Sequence, residues 1–482
     1  MNKINYLERG AMFLIASSLC STTLFAATND EVMAELHRLQ NRLTVVESTL
    51  GITKTQLADT QSELNTLKQT NLQIAQNSTN VSNELAPEPS ESYTPEIYGR
   101  IFLDAAQIPS QSIVGKTDEL MKERSKAEIR KAYLGVRGKI NEKFKYNFLV
   151  DFSKNEVVFK NANVTYKANK SNKLVIGFQK PAFGLEHTTS SNNIQFMERS
   201  LTDVFAPDRN LGLSWSYYND FMTTQFGAYL PNEVNVDTDD EGLVNDDDTL
   251  RTNDANTYTA RVVGIPVNKS NQLLHLGASA MYVDYHDKDN LSYNSRPESH
   301  LSSKLVKSQK IGDPSQAINY GVEAAYQQSG FLLQSEYIAS SVDGLRGKYP
   351  DKTEERGTYN YSAWYFSTSY MLTGEAHSYK ASKGTFGRVV PDEPFSKDGW
   401  GAFELTLRYS SIDLDYGENY KNEAQLGGKM NDITLGLNWY LEKNMRVMFN
   451  FINYDAHSYE DSTDYVESQN GNIIQTRLQI EF

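Results

Sequence analysis

Downstream of Tyr98, basic side chains recur on the polar side of segments whose hydrophobicity alternates with period two: Lys131, Arg137, Lys145, Lys167, Lys173, Arg261, Arg408, Arg446 and Arg477. Lys180, Arg199 and Arg209 fall between two such segments. A guanidinium fork or an ammonium group in a narrow wet space can replace part of an oxyanion's hydration shell. Anion binding is therefore the chemistry this pattern suggests, with Arg199, Arg209 and Lys180 foremost and Arg137, Lys131, Arg261 and Arg408 behind them. Acids share the same polar faces, at Asp151, Glu323, Glu336, Glu375, Glu404 and Glu481. The bases could instead pair with these acids and do no more than solvate a wall.

A second cluster is acidic. Asp237, Asp239, Glu241, Asn245 and Asp248 fall at calcium-loop spacing, with Gly242 and Val244 at the glycine and apolar positions. No helical pattern flanks them. A solvated external loop, able to bridge lipopolysaccharide phosphates through divalent cations, competes with a calcium site. No other cofactor is implied. Catalytic constellations are missing from the sequence: there is no Ser elbow, no phosphate-binding Gly loop and no zincin helix among the seven His, of which His187, His275 and His377 are scattered. The net charge of −14 disfavours nucleic acid as a partner.

The elements that would position these residues fall into two kinds. Lys3 and Arg9, a small and apolar run from Ala11, and Ala26–Ala27 read as a signal peptide over residues 1–27. Cys20, the single cysteine, lies inside it, which leaves the remaining chain without disulfides or thiolate metal sites. Heptads follow over residues 30–76. Leu36, Leu43, Leu50, Leu57 and Leu64 share one position, while Val32, Leu39, Val46, Leu67 and Ile74 share the other. Thr53, Thr60 and Asn71 interrupt the seam. A periplasmic coiled coil is expected, one that suits a trimer and could reach peptidoglycan. Residues 77–96, rich in Asn, Ser, Glu and Pro, read as a linker.

Residues 97–482 then carry about sixteen alternating segments, starting near Tyr98, Ile129, Phe144, Val158, Lys173, Asn210, Phe221, Asn256, Gln272, Asn319, Phe331, Tyr359, Trp400, Asn431, Met445 and Gly471. In one of them Tyr146, Phe148, Val150 and Phe152 are assigned to a single face. Each has about the length that a tilted membrane strand needs. Short and long connections alternate, as in a transmembrane barrel with small turns at one end and large loops at the other. The stretch 373–399 breaks that parity; either the count slips there or the stretch plugs or lines the mouth with the small turns. The 29 Tyr and 21 Phe suit aromatic girdles. Phe482, ending an alternating strand, looks like the recognition signal of outer-membrane barrels.

Several motifs in order resemble the phosphate-selective porins of the OprO and OprP type: the runs Glu128 to Gly138, Leu174 to Gly184, Ile194 to Ser200, Leu372 to Glu375 with Gly384 to Phe386, Phe403 to Ser410, and Gly436 to Leu441. The resemblance implies an all-β barrel of sixteen antiparallel strands, a homotrimer in outer-membrane lipid and lipopolysaccharide, and a third loop, here 181–209, folded inward to narrow the pore. It implies a channel for small hydrophilic solutes, anions such as phosphate among them, rather than an enzyme. A general porin, or an adhesin or tether with little conductance, remain the competing classes. For the N-terminal element, a peptide of residues 28–76 is expected to be helical by circular dichroism and trimeric by sedimentation equilibrium; an unfolded monomer would remove the coiled coil.

Overall fold

The computed structural model describes residues 93–482 apart from 114–115, 122, 155, 233, 235–254, 270, 287–289, 310, 346–355, 416–426 and 460–465, together with Ser62 and Thr66. The signal segment, the linker up to residue 92, the acidic run at 237–248 and all of the coiled coil but Ser62 and Thr66 lie outside the described residues.

Sixteen antiparallel strands form the wall: β1 (Glu96–Ile108), β2 (Arg124–Lys139), β3 (Phe144–Asp151), β4 (Val158–Lys167), β5 (Asn172–Gln179), β6 (Asn210–Tyr218), β7 (Met222–Leu230), β8 (Ala255–Lys269), β9 (Gln272–Tyr285), β10 (Ile311–Gln328), β11 (Phe331–Leu345), β12 (Arg356–Met371), β13 (Ala402–Asp413), β14 (Gly427–Glu442), β15 (Met445–Tyr459) and β16 (Val466–Glu481). Each pairs with its neighbours in sequence, and β1 pairs with β16 from Arg100↔Glu481 to Gln107↔Ile474, so the sheet closes and keeps no edge. Closure is what a sheet in hydrocarbon requires, because an open edge there would strand unpaired N–H and C=O groups. The seam is tight. Gly99 N–H donates to the Phe482 carbonyl at 2.9 Å, and a Cβ on Gly99 would meet the Phe482 ring at 2.4 Å.

Alternation explains the wall. Leu405, Leu407, Ile433, Leu435, Phe449 and Phe451 point outward, each 42–53% exposed, whereas Thr406, Arg408, Thr434 and Asn450 between them are buried inside. An apolar band of that extent on an outer surface belongs against lipid. The small turns repeat one device: Asn141, Asn169 and Asn219 each use the side-chain oxygen to accept two backbone N–H groups at 2.9 Å. Two register shifts bear on the sequence reading. The β3–β4 register slips at Leu149/Val150, where Lys160 is the extra residue on β4, while the regular β2–β3 pairing sets Val150 opposite Leu134 and Phe148 opposite Val136, on one face as the sequence reading has them. β10 starts eight residues before Asn319, the start predicted from sequence, because a register shift between Gly312 and Gln316, with Asp313 at φ 39°, accommodates Pro314.

Three connections fill part of the lumen. Residues 180–209 fold inward and cross to the far wall. Glu336 on β11 accepts the backbone N–H groups of Leu185 and Glu186 at 2.6 and 2.8 Å, which starts the one-turn helix α1 (Leu185–Thr188). Beyond it Asn438, Arg446, Arg477, Arg408 and Asn319 donate to the carbonyls of Gln195, Ile194, Met197, Glu198 and Phe205. Residues 290–309 also turn inward, which the sequence did not indicate. Their Glu298 accepts from Arg408, Ser410 and Thr434, and Tyr293 packs edge-on between Phe205 and Tyr361 at 5.1 and 5.5 Å. The third is the anomalous 373–399. The strand count is sixteen without it, and it lines the lumen at the small-turn end. Arg261 donates to the Lys383 and Gly384 carbonyls, Thr223 to that of Ala381, and His377 meets Glu404 at 2.6 Å. Glu298→Ala would leave Arg408 buried beside an empty position, at a cost of about 3–5 kcal/mol. We expect a lower unfolding temperature and new proteolytic cleavage within 290–309; unchanged stability and protection would contradict this account of the packing.

Candidate functional site

What the three inward segments leave open is a cavity of about 1480 Å³, bounded by β1–β8 on one side and by residues 180–209, 380–388 and His300 on the other. Its lining is unequal in charge. Among the described residues, Arg100, Arg130, Lys131, Arg137, Lys154, Lys160, Lys173, Lys180, Arg199, Arg209, Lys380, Lys383, Arg388 and Lys443 face it, against Glu96, Glu128, Glu156, Glu198, Asp203, Asp208 and Glu481. Bases outnumber acids two to one inside a chain whose own net charge is −14.

Six sequence candidates come together here: Lys131, Arg137, Lys173, Lys180, Arg199 and Arg209. The inward loop orients three of them through its own backbone. Lys180 donates to the His187 carbonyl, Arg199 to those of Glu186 and Thr189 at 3.1 Å, and Arg209 to the Lys160 carbonyl and to Asn161 Oδ1 at 2.7 Å. Burial, and then the charge of Arg199, holds the Lys180 ammonium well below its usual range. An anion beside it would offset that repulsion. His187 Nδ1 bonds to Asp203 at 2.9 Å. Burial and then Lys180 push this imidazole down to about 3, so it is neutral. Burial would raise the Asp203 carboxyl, but Arg199 and His187 outweigh it and keep the group ionised.

Toward the small turns bases face one another across the strands. Lys139 stands directly opposite Lys145 across β2–β3, and Lys167 opposite Lys173 across β4–β5. Like charges at directly opposed positions destabilise a sheet. Arg137, in contrast, forms a two-pronged pair with Glu96.

Two of the candidates ranked behind these require correction. Arg261 and Arg408 point inward as alternation predicts, yet they are 0% and 1% exposed and do not line the cavity. Arg261 is held by Glu323 at 2.6 Å, and Arg408 lies between Glu186, at 2.8 Å, and Glu298. Arg446 and Arg477 are likewise consumed, by Gln479 and the Ile194 carbonyl and by Asp104 and Glu198. Each inward loop brings partners that no local pattern announces. The sequence reading also missed lining residues. Arg100 shares the inner face of β1 with Tyr98, Phe102 and Asp104, and the apolar Phe102 obscured the alternation. Lys160 is displaced by the β3–β4 slip. Lys380, Lys383 and Arg388 belong to the anomalous segment. As for metals, no group of three or more His, Cys, Asp or Glu is arranged to hold an ion among the described residues.

Comparison with known proteins agrees with this architecture. A family model described as phosphate-selective porin O and P matches residues 96–482. Porin O of Pseudomonas aeruginosa is 25% identical over 395 residues, covering 74% of this chain and 82% of that protein. An uncharacterised Caulobacter vibrioides protein is 25% identical over 390 residues, covering 80% and 73%. Among solved structures, the outer-membrane channel DcaP of Acinetobacter baumannii aligns with 83% of this chain and 100% of its own at 13% identity and a TM-score of 0.48. An anion-selective porin from Comamonas acidovorans aligns with 81% and 100% at 11% identity and a TM-score of 0.46. The match over the whole barrel places the chain in the phosphate-selective porin O and P family, as a bacterial outer-membrane porin that is a channel and not an enzyme.

Proposed function

We propose that the pore conducts small inorganic anions in preference to cations, with phosphate among its solutes. The two-to-one excess of bases over acids along the cavity carries this reading. A narrow, low-dielectric passage lined by one sign of charge concentrates the opposite sign. The opposed lysines at the small-turn end support it too, since like charges directly opposite each other repel and an anion beside them would relieve that repulsion. Lys180, Arg199, Arg209 and Lys131 form the narrow-level site in this reading, and Arg137 and Lys173 belong to the exit. Arg261 and Arg408 act through the loops they hold.

The same proposal gives residues 1–27 to an export signal and 30–76 to a periplasmic coiled coil that joins three chains and reaches peptidoglycan. Residues 77–96 then connect it to the barrel. The unbroken run of leucines at one heptad position supports the stalk. The acidic loop at 237–248 would meet divalent cations at the lipopolysaccharide surface, as a bridge or as a calcium site.

Single-channel recording across a KCl gradient tests the central claim. The reversal potential should lie on the chloride side, and added phosphate should reduce chloride current. Arg199→Ala and Lys131→Ala should each weaken that block by about tenfold, the effect of losing one charge-assisted hydrogen bond. Openings without ion preference would leave a general porin, and an absence of openings would favour the tether.

A further inference from the structure

Beside the main cavity the inward segments leave a second, much smaller one. It measures about 10 Å³ and lies where the tip of the loop 180–209 meets the segment 373–399 and the turn between β14 and β15. Asn192 of the loop, His377 of the segment and Arg446 of β15 are among the residues that line it. A cavity of that size has room for about one water molecule.

Much of the polar lining is already engaged. Gln479 accepts from Arg446 Nη2 at 2.9 Å and donates to the Asn192 carbonyl and to Glu481, each at 3.1 Å. Tyr440 gives its hydroxyl proton to Glu404, and the Ser396 N–H donates to Glu442. Three groups are left over. Asn192 Oδ1, His377 Nδ1 and Arg446 Nε are buried without a hydrogen-bond partner among the described residues. His377 is 5% exposed and Arg446 3%, so neither side chain turns out to bulk solvent. A buried donor or acceptor left unmade costs its full desolvation.

The chemistry of the three atoms says what they need. Arg446 Nε carries a proton and can only donate, whereas Asn192 Oδ1 can only accept. His377 presents its other nitrogen, Nε2, to Glu404 Oε1 at 2.6 Å. That carboxylate also receives Asn438 Nδ2 and the Tyr440 hydroxyl, so it is an acceptor and Nε2 carries the proton between them. Nδ1 is then the accepting nitrogen of the ring. One donor and two acceptors around room for one small molecule form the complement of water, which takes one hydrogen bond here and gives two. A chloride ion would leave Asn192 Oδ1 and His377 Nδ1 unserved, and a metal cation would be repelled by the Arg446 guanidinium.

We propose that the cavity between Asn192, His377 and Arg446 is a structural water site, in which one water accepts from Arg446 Nε and donates to Asn192 Oδ1 and His377 Nδ1. The water joins both inward segments to the wall at β15. It thereby steadies the loop tip, where Ser191, next to Asn192, accepts a hydrogen bond from the Arg100 guanidinium at 3.0 Å. The inference stands whichever ion the pore prefers.

Asn192→Leu tests it by the sign of a stability change, because Leu copies the shape of Asn without its oxygen. With a water bound, the variant takes away one of its partners, and the unfolding temperature of the full-length protein should fall by about 2–4 °C. In a dry cavity the same change removes an unpaired oxygen, and the unfolding temperature should rise. A crystal structure of the wild-type protein is the second measurement, with a density peak expected about 3 Å from all three atoms. A cavity without density, or a variant at least as stable as the wild type, overturns the proposal. So does a peak that anomalous scattering identifies as chloride.

Discussion

The interior of this barrel turns on Arg408. From the middle of β13 its guanidinium reaches Glu186 at 2.8 Å, the Glu198 carbonyl at 3.0 Å and the carboxylate of Glu298. The first two belong to the inward loop 180–209 and the third to the segment 290–309. One side chain thus ties both to the same wall. An isolated buried guanidinium would be very costly, and so would either carboxylate; together they satisfy one another only when both loops are in place. The cavity exists where it does because these loops crowd the side of β9–β16 and leave β1–β8 open.

That division sorts the bases by task. On the crowded side Arg261, Arg408, Arg446 and Arg477 spend their charge on carboxylates and carbonyls of the inward segments and of the wall strands, which makes them structural. On the open side Lys180, Arg199, Arg209 and Arg100 meet backbone carbonyls and hydroxyls that orient a cation, while Glu198, Asp203, Asp151, Glu96 and Glu481 pair with Arg130, Arg199, Lys160, Arg137 and Arg388. Arg137 lies over the Tyr98 ring at 4.5 Å and is paired with Glu96 as well. The balance of anchoring and permeation is therefore set by the partner a base finds, not by its type or by the face it occupies.

The barrel was legible in the sequence because lipid acts on every strand separately. Each must show apolar residues outward at every second position, and each must pair on both sides, so period-two segments and alternating connection lengths are local consequences of a membrane environment. Sixteen segments and their order could be read on that ground. A boundary slipped where a bulge intervenes, as at Pro314, since one extra residue reverses the faces beyond it.

The candidate site was legible only in part. Lys180, Arg199 and Arg209 could be placed because they lie on the loop that had to bridge two strands, and Lys131 and Lys173 because they take polar positions in alternating strands, although β2 carries a bulge at Arg130 that brought this neighbour inward unannounced. Arg261 and Arg408 look the same by that criterion, yet Glu323 and Glu298 consume them, while Arg100 and Lys160 were hidden by an apolar neighbour and by a bulge. By itself the sequence determined a membrane-facing exterior, a closed sheet and a pool of inward bases, all properties of residues a few positions apart. Only the tertiary structure decided which of those bases line the cavity, because the carboxylates that neutralise the others arrive from strands and loops 62 to 373 residues away, and no local pattern encodes such a meeting.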